Sequence, residues 1–351
     1  MHGIAWEGVT PLFLAVKYGQ LDAARFLIGR GADVDKALAN CREQFGDNQW
    51  RTNCVSTLGF LRAEKAAPQA QPAAAAPLAP EGKMPAAADV DDLPAAGANP
   101  NPNAYAIVIG IDEYRQKLPR ADYAAGDAKV VAEYLTRVLG YPEENVATLI
   151  NDRALKSDLE KYLDRWLLNN AEKDSSVFIY YSGHGAPNPK TGDAFLVPYD
   201  GDPTFIMETG YPIGRLYESL RKLPAKEVVV VLDSCFSGAG GRSVIAKGAR
   251  PLVIAAAAPA AVPQNLTVLS AASGDQTSST YDEKKHGLLT YFFLKGLRGE
   301  ADLDGDGKTE IGELFDYLKP RVEKTARKAY NNEQTPQLVT ADRKRVLLKK
   351  E

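Results

Sequence analysis

The chain has 351 residues, with 42 basic and 45 acidic side chains and a formal net charge of −3. Hydrophobic residues make up 45% and charged residues 25%, the composition of a globular protein able to bury a full core. So balanced a charge gives no electrostatic ground for binding nucleic acid or an anionic membrane, and no stretch reaches the roughly 18 apolar residues of a membrane span.

The three cysteines are Cys41, Cys54 and Cys235. They are too few to build a disulfide scaffold, and the odd count leaves at least one free thiol. The opening MHGIAWEGVT lacks the charged start and apolar stretch of a secretory signal, which predicts a cytoplasmic protein. A start lying further upstream would make the protein exported, and Cys41 and Cys54 could then pair.

Residues 10–35 read TPLFLAVKYGQLDAARFLIGRGADVD: a Thr-Pro turn, a short helix, Gly19, a second helix, then GADVD. Leu12, Leu14 and Ala15, then Ala24, Phe26 and Leu27, are spaced as on two packed helices. The segment resembles one ankyrin repeat, which implies a docking element for a protein partner. A single repeat cannot bury its own faces, and about three are needed for independent stability. The segment is therefore the tail of a longer array or a hairpin docked on something else. Trp50, Leu58, Phe60 and Leu61 would complete a small helical cap, so the first unit spans 1–64. Residues 65–104 are dominated by Ala and Pro with almost nothing large to bury, and predict a disordered or extended linker.

From Tyr105 to residue 345 the pattern is that of an α/β domain. Short apolar runs appear at 106–111, 146–150, 177–182, 228–234 and 266–273, as in strands of a mostly parallel sheet buried on both faces. Helical patterns lie between them at about 126–139, 157–169 and 213–223, and Ser157 with Glu160 reads as a capping box. In such sheets, active sites gather at the carboxyl ends of strands.

Two strand ends carry reactive side chains. VFIYYS runs into Gly183-His184-Gly185, and VVVVLDS runs into Cys235-Phe236-Ser237-Gly238. If the two strands are parallel neighbours, the imidazole of His184 stands beside the thiol of Cys235 and can deprotonate it. The backbone N–H groups of Gly185 and Cys235 would then face the developing oxyanion. This is acyl transfer with no cofactor in the chemical step. The bland alternative is a buried core cysteine and a structurally satisfied histidine.

YYSGHG at 180–185 and DSCFSG at 233–238 resemble the paired motifs of caspase-like cysteine peptidases, with the His about fifty residues before the Cys. Asp233, two residues before the Cys, matches metacaspases and related bacterial enzymes and not animal caspases. AIVIGIDEY at 106–114, GDA at 126–128, SAASGDQ at 270–276 and HGLLTYFF at 286–293 extend the resemblance over about 105–340. It implies a caspase-like three-layer sandwich and a cysteine endopeptidase that acts on protein or peptide substrates after Arg or Lys. The matching specificity-pocket positions are Asp127, Ser182 and Asp233. Two carboxylates there suit a bidentate Arg; Asp127 also fits a residue capping its helix. Gly126 stands where relatives usually have Asn, and Ala124 where they often have Cys. His286 reads as a residue at the start of a helix.

DLDGDGKTEIGE at 302–313 places Asp302, Asp304, Asp306 and Glu313 at loop positions one, three, five and twelve of an EF-hand, with Gly307 at six. Thr309 takes the place of the usual apolar anchor, and Ile311 follows two residues later. This pattern predicts calcium binding, set against a plain acidic turn. The Gly/Ala/Pro segment 239–265 after the nucleophile carries Arg242, Lys247 and Arg250 and predicts a substrate loop open to self-cleavage. The competing class for the whole chain is a catalytically silent scaffold that recruits partners through its ankyrin-like part.

Overall fold

A computed structural model describes residues 10–17, 24, 27–28, 30–45, 54, 57–58, 88–94, 99–188, 191–234, 263–273 and 276–349. Cys235, the segment 239–262 with its three basic residues, the stretch 65–87, and Gly19, Phe26, Trp50, Phe60 and Leu61 lie outside the described residues. Two units divide the chain at residues 84 and 85.

In the first unit, α1 (Pro11–Lys17) and α2 (Val34–Phe45) share one small core. Leu12, Phe13, Ala24, Ile28, Ala37, Cys41, Cys54 and Leu58 are buried in it. Thr10 caps α1 by accepting the Phe13 N–H at 3.2 Å, and its own N–H reaches Asn40 Oδ1 on α2 at 2.9 Å. Cys41 and Cys54 are joined in a disulfide. Leu58 is fully buried in this core, the place the cap reading assigned to it.

In the second unit every apolar run named above forms a strand of one six-stranded sheet. The strands are β1 (Ala104–Gly110), β2 (Val146–Ile150), β3 (Ser176–Ser182), β4 (Glu227–Asp233), β5 (Leu266–Ser270) and β6 (Gln337–Thr340). Their order is β6-β5-β4-β3-β1-β2; only β6 runs antiparallel. Alternate residues of each strand enter two cores. Ile107, Ile109, Val177, Ile179, Val228 and Val230 face one side, packed by Leu159, Leu163 and Leu167 of helix α4 (156–170) and Leu216 and Leu220 of α5 (Ile213–Arg221). Val108, Phe178, Tyr180, Val229 and Val231 face the other, packed by α3 (Ala124–Arg137), α6 (Leu288–Lys295) and α7 (Ile311–Tyr330). This is the three-layer, mostly parallel sandwich expected, and burial on both faces explains why the runs are continuous and not alternating.

Two expectations are corrected. Helix α4 begins at Lys156, two residues earlier than a Ser157 cap allows; Asp158 Oδ2 accepts the Leu155 N–H at 3.2 Å, and Asp200 Oδ1 accepts the Lys156 N–H at 2.9 Å. The cap position is thus Leu155, and carboxylates serve the N–H groups at the helix start in place of the expected Ser157–Glu160 pair. The expected linker also gives way before residue 104. Residues 88–93 pack on the sheet's α3/α6 side, where Val90 is fully buried and Tyr134 donates to its carbonyl at 2.8 Å. Asp89 accepts from Lys295 at 2.8 Å and from Tyr291 at 2.9 Å, and Arg298 donates to the Asp89 and Asp92 carbonyls. Composition hides this strap because its partners lie about two hundred residues away in sequence.

Candidate active site

Strands β3 and β4 are parallel neighbours, and their last residues, Ser182 and Asp233, are register partners. His184 follows Ser182 by two positions, and Cys235 follows Asp233 by two. The two sequence motifs therefore leave one edge of the sheet side by side.

His184 is fully buried and held from several sides. Its N–H donates to the Tyr114 hydroxyl at 2.6 Å, its carbonyl accepts from Tyr181 at 2.6 Å, and the Tyr114 ring stacks on the imidazole at 4.8 Å. Its Nε2 lies 2.6 Å from the Pro119 carbonyl oxygen. A carbonyl can only accept, so Nε2 carries a proton and the neutral ring keeps its lone pair on Nδ1. Gly183 is required here, because a Cβ would come within 2.9 Å of the Tyr114 oxygen. Gly185 opens the buried strand Gly185–Pro187, which pairs with Ala194–Leu196. The Pro119 carbonyl and Tyr114 were not anticipated from sequence. Neither leaves a mark there, since one acts through its backbone and the other is an ordinary apolar-core tyrosine by composition.

Asp127, Ser182 and Asp233 are all fully buried. Both carboxylates grip the N-terminal turn of α6. Asp127 Oδ2 accepts the Gly287 N–H at 2.8 Å, and its Oδ1 meets His286 Nδ1 at 2.6 Å. Asp233 Oδ2 accepts the Thr290 N–H at 3.2 Å and its hydroxyl at 2.7 Å, while Oδ1 accepts from Ser278 at 2.6 Å. N–H groups at a helix start stabilise anions, so this corner suits two buried carboxylates. Asp127 sits in the first turn of its own helix, yet these oxygens turn to the start of another. His286 lies two residues before α6, in the two-residue strand His286–Gly287, and is the partner of Asp127. Its pKa lies above the ordinary value: burial lowers it, but the hydrogen bond and charge of Asp127 and the charge of Asp91 outweigh that effect.

A cavity of about 280 Å³ opens beside this corner, lined by Arg120, Asp122, Ser278, Asp282, Tyr330 and Asn332, among others. Arg120 follows the Pro119 that holds His184, and Ser278 is the donor to Asp233, so the cavity adjoins both halves of the site. Arg120 is engaged by Asp112, Glu113 and Asp122.

In the loop 302–313, carboxylate oxygens of Asp302, Asp304 and Asp306 lie within 4.8 Å of one another. Asp302 Oδ1 is buried with no hydrogen-bond donor among the described residues. Glu313 instead accepts backbone N–H groups of Leu303, Asp304 and Glu310, and Asp306 pairs with Lys308 at 2.6 Å. Thr309 is buried opposite Leu348 in a small antiparallel ladder, so an outside strand supplies the apolar partner that the loop lacks. Three clustered carboxylates, one with an orphaned oxygen, would suit a hard cation such as calcium, while Glu313 is held by backbone N–H groups of the loop.

A family model described as a caspase domain matches residues 103–347, and one described as an ankyrin repeat matches residues 7–37. Among curated relatives, Metacaspase-1A of Aspergillus oryzae is 27% identical over 149 residues, 38% of this chain and 34% of that protein. Metacaspase-1 of Emericella nidulans is 26% identical over 151 residues, 38% of this chain and 35% of that protein. The aligned part spans about a third of the length of these relatives. Among solved structures, a protein of Geobacter sulfurreducens superposes with a TM-score of 0.48 at 18% identity, covering 71% of this chain and 100% of that one. Caspase-1 of Spodoptera frugiperda superposes with a TM-score of 0.46 at 13% identity, covering 77% and 98%.

Proposed function

The chain belongs to the caspase-domain family, and we propose that it is a cysteine endopeptidase with a Cys235–His184 dyad that cleaves after Arg or Lys. The observation that carries this reading is the β3–β4 register, which aligns Ser182 with Asp233 and so brings the His184 and Cys235 motifs to one sheet edge. Cys235, as thiolate, attacks the scissile carbonyl carbon; a C–S bond forms and the charge on oxygen is met by the Gly185 and Cys235 N–H groups. His184, its ring fixed by Pro119, takes the Cys235 proton on Nδ1 as the thiolate forms and gives that proton to the leaving amine as the C–N bond breaks. Water, deprotonated by the same nitrogen, then hydrolyses the thioester and releases the thiol.

The basic preference is supported by Asp127 and Asp233, two buried carboxylates gathered at the start of α6. Loop 302–313 is a calcium site in this reading, regulating and not performing the chemistry. The ankyrin repeat supplies a surface for a protein partner. The Cys41–Cys54 disulfide supports an exported protein over a cytoplasmic one, since such bonds persist in oxidising compartments.

The test is cleavage of fluorogenic peptides ending in Arg or in Asp, with and without calcium, beside Cys235→Ala. Cleavage after Arg that vanishes in Cys235→Ala supports the proposal. Cleavage after Asp overturns the pocket assignment, and no cleavage at all favours a silent scaffold working through the ankyrin repeat. A Cys235→Ala chain nicked as fast as the wild type between residues 239 and 265 would refute self-cleavage there.

A further inference from the structure

His286 is almost fully buried, and no step above uses it. Its Nδ1 lies 2.6 Å from Asp127 Oδ1, and its Nε2 lies 3.1 Å from Asp91 Oδ1 on the 88–93 strap, an ion-pair distance without hydrogen-bond alignment. Asp127 comes from α3 and Asp91 from the strap. The other titratable groups around the ring are Tyr291 of α6, 6.3 Å away centre to centre, and Tyr281, its partner across the two-residue ladder 280–287. The adjoining Lys284 is turned to Asp89. The strap is firmly seated by buried Val90 and by the cations around Asp89, so Asp91 is a fixed neighbour. Two carboxylates and one imidazolium leave this row with one net negative charge.

We propose that His286 and Asp91 are positioning residues of the specificity pocket: the imidazolium orients the Asp127 carboxylate, and Asp91 restores the negative charge that the imidazolium cancels. The inference rests on the reading of Asp127 as a pocket residue. It makes the preference for a basic substrate side chain depend on a segment that composition assigns to a linker. Without Asp91, a protonated His286 offsets Asp127, and Asp233 alone is left to attract the cation.

The experiment uses the full chain and two peptides that differ only in Arg against citrulline, which has nearly the same shape and no charge. At about pH 6, Asp91→Asn lowers the Arg-to-citrulline ratio of kcat/KM roughly three- to tenfold, through KM for the Arg peptide, with citrulline turnover unchanged. Towards about pH 8.5 the Asp91→Asn ratio recovers, because His286 without Asp91 sheds its proton closer to its ordinary value. In the wild type the corresponding rise lies at higher pH than in Asp91→Asn, because Asp91 holds the proton on His286. His286→Gln, which keeps a donor for Asp127 but no charge, raises the ratio at about pH 6 and removes the pH dependence from the Asp91→Asn background.

A ratio unaltered by Asp91→Asn at both pH values, or lowered by His286→Gln, overturns the proposal and leaves the row a purely structural contact. If Asp91→Asn does not fold, His286→Gln decides alone. If the wild type cleaves neither peptide, the affinities of Arg- and citrulline-ended product peptides for Cys235→Ala give the same ratio. No preference for Arg in cleavage or in binding removes the pocket reading, and this proposal with it.

Discussion

Two groups of carboxylates in the peptidase domain are built on opposite plans. Asp127 and Asp233 are fully buried, and each of their four oxygens meets a donor from the fold. Asp302, Asp304 and Asp306 lie at the surface with their oxygens turned to one another, served by their own loop's N–H groups and Lys308. The first plan also holds α6 and its neighbours in place. The second is served by groups of its own loop. Removing an acid from the buried pair therefore costs the fold, and removing one from the loop costs it little.

The contrast breaks most sharply at Asp127. Asp127→Ala takes the acceptor from buried His286 and from the Gly287 N–H and is expected to cost about 3–5 kcal/mol of stability, read by chemical denaturation; a loss near zero would show that the corner is solvated. Tyr114→Phe comes next. It takes the acceptor from the His184 N–H and the donor from the Ile111 carbonyl, at about 1–3 kcal/mol, with a drop in kcat as the imidazole loosens.

The pH dependence sharpens the same comparison. The folded-state pKa of His286 is raised, so its contribution is fully present below the ordinary histidine value and is lost as pH rises through the folded one. Melting temperature should thus fall above neutrality in the wild type and lose that component in His286→Gln. The smallest effect belongs to the loop. Asp304→Ala changes calcium-free stability by less than about 0.5 kcal/mol while abolishing calcium uptake in calorimetry; uptake unaltered by the substitution would place the cation elsewhere.

Much of this organisation is legible in the chain. The strand runs at 146–150 and 266–273 follow from short continuous apolar stretches, the last three residues of the second lying past its strand, and the helices near 126–139 and 213–223 from their helical periodicity. The acids of the loop are legible for the same reason: their ligands are local, at fixed spacing. The strap at 88–93 is not, because one valine among alanines and acids becomes a core residue only when Tyr134, Lys295 and Arg298 surround it. Nor is the true cap position of α4, Leu155, whose N–H is taken by Asp158.

The sequence by itself determined the layered fold and the two motifs, since periodicity is set by local patterns. Only the tertiary structure decided what those residues lean on: the Pro119 carbonyl behind His184, the α6 N-terminus beneath Asp127 and Asp233, and the Asp91–His286 row that ties the pocket to the strap. Such partners are chosen by distance in space, across 65 residues for Pro119 and His184 and 159 for Asp127 and His286. Electrostatics acts over a few ångströms of space and takes no account of separation along the chain.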